Sequence, residues 1–125
     1  MAVLTFYNDE INVIEAQLTD DITFECILSF IKDMAELSIK HENYQWLVDY
    51  TKAHFKLGTF EIYNLPKAAY NKLEPLGDQR DRLKRAIIRI NDKEDFAFLY
   101  NVAQNTGQNL KVFDTREEAL KWLKT

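Results

Sequence analysis

The sequence predicts an α/β domain in which a mixed, mostly parallel sheet of four or five strands carries helices on both faces. Along the chain, apolar β-branched segments alternate with amphipathic helical segments, which is typical of parallel sheets. Only three polar residues separate the first two strand segments, so these two strands are expected to pair as an antiparallel hairpin. The predicted order is β-β-α-β-α-β-α-β-α. With 125 residues, 46 % of them hydrophobic, the chain suits one domain, residues 1–125, whose core needs no disulfide or metal.

The first half of the chain contains three predicted strands and one long helix. Ala2–Tyr7 and Ile11–Ala16 are rich in β-branched and aromatic residues, which favours strands. Gln17–Asp21 is a polar turn whose side chains cap a helix that runs to about Leu37, with apolar residues at helical spacing along one side. Tyr44–Thr51 is apolar in its centre and ends on hydrogen-bonding residues, as a buried central strand does.

A second helix is predicted from Phe60 to about Leu73, after a loop over Lys52–Gly58. Thr59 is placed to cap its start. Pro66 predicts either a kink or two short helices, one ending near Asn64 and one starting at Pro66, because proline removes one hydrogen bond and clashes with the preceding turn. The remaining predictions are a turn at Glu74–Arg82, strands at Leu83–Asn91 and Asn109–Phe113, a helix at Lys93–Thr106, and a last helix after a capping box that begins at Thr115.

The candidate site residues follow the central strand. Ligands of parallel sheets bind outside the carboxyl ends of the strands, and Asp49 and Thr51 stand at the end of this one. Gly58 and Thr59 start the next helix, where free amides and the helix dipole favour an anion. These four residues are therefore the candidates for ligand binding or for accepting a phosphate. The same residue types also cap helices at strand-to-helix junctions, which is the structural alternative.

Several function classes lack their residues. The chain has no HExxH, GxSxG, CxxC or glycine-rich phosphate loop, and its only cysteine, Cys26, lies in an apolar helical pattern. We therefore expect no catalytic residue, no metal and no cofactor. The net charge is -4 and the densest basic run has no interleaved aromatic residues, so nucleic acid is not an expected partner. No apolar run reaches membrane-spanning length and no secretory signal is recognisable, so we expect a cytoplasmic protein without a membrane partner.

Three segments carry a resemblance to a known family. The element order, together with LVDYTKA at Leu47–Ala53, RAIIRIND at Arg85–Asp92 and KVFDTREEALKWL at Lys111–Leu123, resembles the STAS-like proteins, and within them the bacterial SpoIIAA-like (STAS/SEC14-like) group. The resemblance implies a STAS-like fold and a small non-enzymatic regulatory or binding module. In the anti-anti-sigma factors of this family, a serine in an Asp-Ser pair at a helix start is phosphorylated. The matching region, Phe55–Thr59, offers only the hydroxyl of Thr59, with no aspartate before it.

Alternatives remain open at this point. A binding module of this kind would bind one of three partners: another protein, a second copy of the chain, or a small ligand. A phospho-acceptor switch or small enzyme would use Asp49, Thr51 or Thr59, and a carrier of apolar ligands would use the Phe- and Tyr-rich helices. A response-regulator receiver, with Asp49 as its aspartate, is disfavoured because a hairpin follows strand one. Eight Phe and six Tyr exceed what the core needs, so an exposed aromatic patch would favour an interface.

Overall fold

The computed structural model describes residues 3–88 and 109–125, and these two stretches supply five strands and three α-helices. The elements are β1 (Val3–Asn8), β2 (Val13–Ile22), α1 (Phe24–His41), β3 (Gln45–Phe55), α2 (Thr59–Asn71), a 3-10 segment (Glu74–Arg82), β4 (Lys84–Ile88), β5 (Leu110–Phe113) and α3 (Arg116–Leu123). The helix predicted at Lys93–Thr106 and the end of the strand predicted at Leu83–Asn91 lie outside the described residues.

The five strands form one sheet in the order β1-β2-β3-β4-β5. β1 runs antiparallel to β2, and the other three pairings are parallel. The mixed, mostly parallel sheet and its amino-terminal hairpin are therefore as the sequence predicts. The receiver alternative is wrong, because the hairpin occupies the place where that fold needs its first crossover helix.

The sheet has two differently covered faces because successive side chains of a strand point to opposite sides. On the α1 face, Ile14 and Trp46 belong to the larger buried cluster, which also contains the inward residues of α1 and α2. On the α3 face, Val13 and Leu47 belong to a smaller cluster with Ala119 and Leu123 of α3. Helices thus cover both faces, as the sequence predicts.

Both ends of β2 and its connection to α1 differ from their predictions. Asn12 takes a left-handed conformation at φ 55°, and β2 starts after it at Val13. The segment Gln17–Asp21, predicted as a turn, continues β2, because β2 stays paired with β3 as far as Ile22. The cap of α1 is Thr23, whose Oγ1 accepts a hydrogen bond from the Cys26 amide at 3.2 Å.

β3 and α2 also differ from their predictions. β3 continues through Phe55, so most of the predicted loop Lys52–Gly58 is strand that pairs with the end of β2. α2 is one helix across Pro66, so the alternative of two short helices divided at this residue is wrong. A proline removes only one internal bond, and burial of Leu65 and Ala69 on either side holds the helix on the core.

Candidate functional site

The predicted site residues Asp49 and Thr51 lie together on β3. The Thr51 amide and its hydroxyl both donate to Asp49 Oδ1, at 2.8 and 2.6 Å. The pairing register advances two residues on β2, from Gln17 to Thr19, while it advances three on β3, from Asp49 to Lys52. β3 therefore carries a bulge here, and the Asp49 carboxylate satisfies the amide that the bulge turns away from the ladder. This arrangement is a local structural motif.

Gly58 and Thr59 lie elsewhere. β3 runs four residues beyond Thr51 to Phe55, a distance of about 13 Å along the strand. The predicted four-residue site is therefore two separate places. Gly58 is the residue before α2, where the sequence predicts Thr59 as the cap, and its amide donates to Glu61 Oε1 at 2.9 Å. A carboxylate thus already occupies the positive end of this helix.

The outward side of α2 is aromatic. Phe60 is 81 % exposed, Tyr63 67 % and Tyr70 43 %, while Leu65 and Ala69 on the opposite side are buried. The helical spacing also places the exposed Lys67 among these rings. We call the four residues Phe60, Tyr63, Lys67 and Tyr70 the aromatic face of α2.

A second cation adjoins the aromatic face. The Arg80 guanidinium, from the 3-10 segment, lies 4.8 Å from the centre of the Tyr70 ring. This distance is within the range of a cation–π contact. No residue of the aromatic face is acidic, and Lys56 and Lys72 lie exposed just before and just after α2. The aromatic face and Arg80 thus carry positive charge on a chain whose net charge is -4, while the acidic Glu61 and Glu74 lie beside the face and not within it.

The structure brings together a polar cluster that the sequence did not predict. Glu15 of β2 has a fully buried side chain, and Arg116, the first residue of α3, binds both of its carboxylate oxygens at 2.8 and 2.9 Å. Asn8 of β1 donates to Glu15 Oε1 at 3.1 Å, and Gln17 donates to Oε2 at 3.0 Å. We call these four residues the Glu15 cluster.

The electrostatics of the cluster keep both partners ionised. Burial by itself raises the pKa of Glu15, but the hydrogen bonds from Arg116, Asn8 and Gln17 and the charge of Arg116 together lower that pKa below 4.5. The hydrogen bond to Glu15 raises the pKa of Arg116 against the opposing effect of burial, and the negative charges of Glu15 and Asp49 add to the rise. The Glu15 cluster therefore ties α3 to the sheet with a charge pair, and it offers no proton to a reaction.

Two features of the sequence could have indicated that Glu15 and Arg116 need partners. Glu15 is the only charged residue of the apolar segment that starts at Ile11, so its side chain has to be satisfied from elsewhere in the fold. Arg116 occupies the first turn of a helix, where the dipole favours acidic residues. Neither feature indicates that Glu15 and Arg116 bind each other.

Acid should therefore remove a specific part of the stability. Because the pKa of Glu15 is lower in the folded than in the unfolded chain, its contribution is complete above 4.5 and is lost as the pH falls through the folded-state value. We expect the Tm of the wild-type protein to fall more steeply below that pH than the Tm of Glu15→Gln. Thermal denaturation followed by circular dichroism at a series of pH values measures this. Parallel pH profiles for the two proteins would contradict the assignment.

The α1 face holds a buried cation, Arg85 of β4. Burial lowers the pKa of Arg85 to about 10 against the opposing effect of Tyr50, and burial raises the pKa of Tyr50.

The described residues contain neither a metal-binding group nor a membrane-spanning helix. Among residues 3–88 and 109–125, no three His, Cys, Asp or Glu side chains form a group that could hold a metal ion. Within the same residues, no helix is both long and apolar enough to cross a bilayer.

Comparison with known proteins identifies the fold. No family model and no curated protein sequence matches the chain. Solved structures do match. The anti-sigma factor antagonist SpoIIAA in its unphosphorylated form has 11 % identity and a TM-score of 0.57, with 98 % of both chains covered. The chain has a SpoIIAA-like fold.

Two further SpoIIAA-like structures agree. A DUF3478-family protein from Shewanella loihica PV-4 has 19 % identity and a TM-score of 0.57, with 98 % of this chain and 92 % of that chain covered. The Bacillus cell fate determinant SpoIIAA in its phosphorylated form has 14 % identity and a TM-score of 0.53, with 98 % and 99 % covered. The STAS-like fold that the sequence resemblance implies is therefore confirmed. At these identities the likeness concerns the fold.

Proposed function

We propose that this protein is a non-enzymatic regulatory module that binds an acidic segment of a partner protein through the aromatic face of α2. The observation that carries the proposal is the exposure of Phe60 and Tyr63, at 81 % and 67 %. Large aromatic side chains at neighbouring positions of one helix are the usual anchors of protein interfaces. Phe60, Tyr63 and Tyr70 form an exposed aromatic patch of the kind that would favour an interface.

Charge selects the kind of partner. Lys67 lies within the aromatic face and Arg80 lies against Tyr70, so a partner that covers the rings also meets two cations. An acidic segment complements them, and this complementarity raises the association rate as well as the specificity. The solved structures of SpoIIAA add support by analogy, because that protein is described as an anti-sigma factor antagonist and is found in phosphorylated and unphosphorylated forms.

The other hypotheses have less support. An enzyme at Asp49 and Thr51 would need free functional groups, but these two side chains bond to each other across the β3 bulge. A phosphate on Thr59 would lie close to the Glu61 carboxylate that already holds the Gly58 amide, and the two would repel. A carrier would shelter its aromatic side chains inside a cavity, whereas Phe60 and Tyr63 face outward.

The test is capture of partners from a lysate of the host on three immobilised baits, followed by affinity measurements. The baits are the wild type, the double variant Phe60→Ser with Tyr63→Ser, and Ile39→Ser as the control. Ile39 is also an exposed hydrophobic residue, at 46 %, but it lies on α1. Each captured protein is then purified and titrated against each bait by calorimetry at two salt concentrations.

We expect a protein with an acidic segment that binds the wild type and Ile39→Ser equally. It should bind the double variant at least about tenfold more weakly, since buried aromatic anchors each contribute about 2 kcal/mol or more. Its affinity should fall as salt rises. Equal binding of every captured protein to all three baits would overturn the proposal.

A further inference from the structure

The outer edge of β1 is open among the described residues. β1 is the first strand in the sheet order, and all its pairing partners lie on β2. No described backbone group outside β2 bonds to it. Every residue of β1 is at least partly exposed, and Leu4 is 57 % exposed. An open strand edge presents a row of amides and carbonyls to any strand that aligns with it.

The strand lacks the features that normally protect such an edge. Natural sheets block open edges with charged residues, prolines, bulges or very short strands. β1 has the sequence VLTFYN, with no charge and no proline, and its register with β2 is unbroken over six residues. The opposite edge of the same sheet is protected, because β5 has only four residues and includes Lys111. One edge of the sheet is therefore protected against pairing with another strand, and the other edge is not.

β1 is also held in a fixed shape before any partner arrives. Asn8 donates to the buried Glu15 carboxylate, and the Tyr7 hydroxyl donates to Asn12 Oδ1 at 2.6 Å. The Tyr7 ring stacks on His41 at the end of α1, with ring centres 4.1 Å apart. A strand fixed in this way loses little conformational freedom when another strand pairs with it.

The sequence of β1 matches itself in the antiparallel direction. If Thr5 of one strand lies opposite Thr5 of another, Leu4 meets Phe6 on one face and Val3 meets Tyr7 on the other. Each pair joins an aliphatic and an aromatic residue, which are favourable cross-strand neighbours, and no like charges oppose each other. The same surface serves both copies, as a two-fold axis requires.

We propose that β1 pairs antiparallel with β1 of a second copy of this chain, about a two-fold axis at Thr5, to give a dimer in which the described strands of both copies form one continuous sheet. The interface is separate from the aromatic face of α2, so it does not rest on the function proposed above. Five paired residues a side, Val3–Tyr7, make a small interface, and the expected Kd is roughly micromolar.

The first test is sedimentation over a range of protein concentrations. We compare the wild type with Leu4→Lys and with the control Ile39→Lys, which places the same charge at an exposed aliphatic position on α1. Both substituted side chains are largely exposed, so both variants should fold, and circular dichroism verifies this. We expect Leu4→Lys to dissociate at least about tenfold more readily than the other two, because apolar contact is replaced by charge. A wild type that stays monomeric at millimolar concentration, or a Leu4→Lys dimer as stable as the wild type, would overturn the proposal.

The second test reads the register. With Cys26→Ser to remove the native thiol, Thr5→Cys places two thiols opposite each other across the axis, within the range of a disulfide. We expect mild oxidation to convert Thr5→Cys into a covalent dimer and to leave Phe60→Cys, in the same background, largely monomeric. Equal crosslinking of the two proteins would contradict the β1 interface. The double variant of the α2 aromatic face should dimerise like the wild type, which separates a failure of this proposal from a failure of the binding proposal.

Discussion

Replacing Arg116 with methionine should lower the free energy of unfolding by about 2–3 kcal/mol. The substitution leaves the Glu15 carboxylate fully buried with only the amides of Asn8 and Gln17 to hold it. Breaking one partner of a fully buried pair costs roughly 3–5 kcal/mol. The cost expected here lies at or below the lower end of that range, because Arg116 is 42 % exposed and water can replace part of it. Urea denaturation at neutral pH measures the change.

A set of variants separates the charge from the packing. Glu15→Gln keeps the shape and removes the charge, so Arg116→Met should cost much less in that background than in the wild type. The double variant Glu15→Leu with Arg116→Met should recover part of the lost stability, since an apolar pair avoids the burial of a lone charge. If Arg116→Met changed the unfolding free energy by less than about 0.5 kcal/mol, the pair would behave as an ordinary surface salt bridge and the assignment would be wrong.

The Glu15 cluster shows where prediction from sequence ends. The strand that contains Glu15 and the helix that starts at Arg116 are both evident from local patterns, namely the apolar segment and the capping box at Thr115. Their pairing joins residues 101 positions apart, and it depends on how α3 docks on the sheet. Nothing local in the sequence encodes that contact.

The sequence-based predictions end β2 and β3 too early, for a related reason. Gln17–Asp21 is polar and reads as a turn, and Lys52–Gly58 reads as a loop. Each segment is strand because the other lies beside it, with Thr19–Ile22 paired to Lys52–Phe55. Pairing between two polar segments satisfies their backbone groups without needing apolar side chains, so hydrophobic periodicity does not show it.

The aromatic face of α2 was half predicted. The excess of Phe and Tyr made an exposed patch the sign of an interface to look for, and the helix itself was predicted over nearly its full length. The helix also contains aliphatic residues such as Leu65 and Ala69, and the sequence does not say whether these or the aromatic residues face the core. The docking of Leu65 and Ala69 against α1 and the sheet decides that Phe60 and Tyr63 face outward.

The largest loss of stability is expected from Trp46→Ala. Trp46 of β3 is almost completely buried on the α1 face, and its Nε1–H donates to the buried Ser38 hydroxyl of α1 at 2.7 Å. Removing the ring leaves a large cavity, and substitutions of this kind cost about 3–5 kcal/mol. That is a large part of the total stability of a small domain, which is about 5–15 kcal/mol. Urea denaturation followed by far-ultraviolet circular dichroism gives the change without depending on the lost indole.

Two milder variants show how much of this effect is the hydrogen bond. Ser38→Ala leaves the buried indole N–H without its acceptor and should cost about 1–3 kcal/mol. Trp46→Phe removes the donor and part of the ring, and Ser38→Ala should then cost little more, because no indole N–H remains to be satisfied. Additive effects of Ser38→Ala and Trp46→Phe would mean that the two side chains contribute by packing alone.

The hydrogen bond fixes α1 against β3, and α1 also carries His41, which stacks on Tyr7 of β1. Loosening α1 should therefore disturb the outer strand as well, so Ser38→Ala is expected to weaken the β1 dimer without changing any residue of β1.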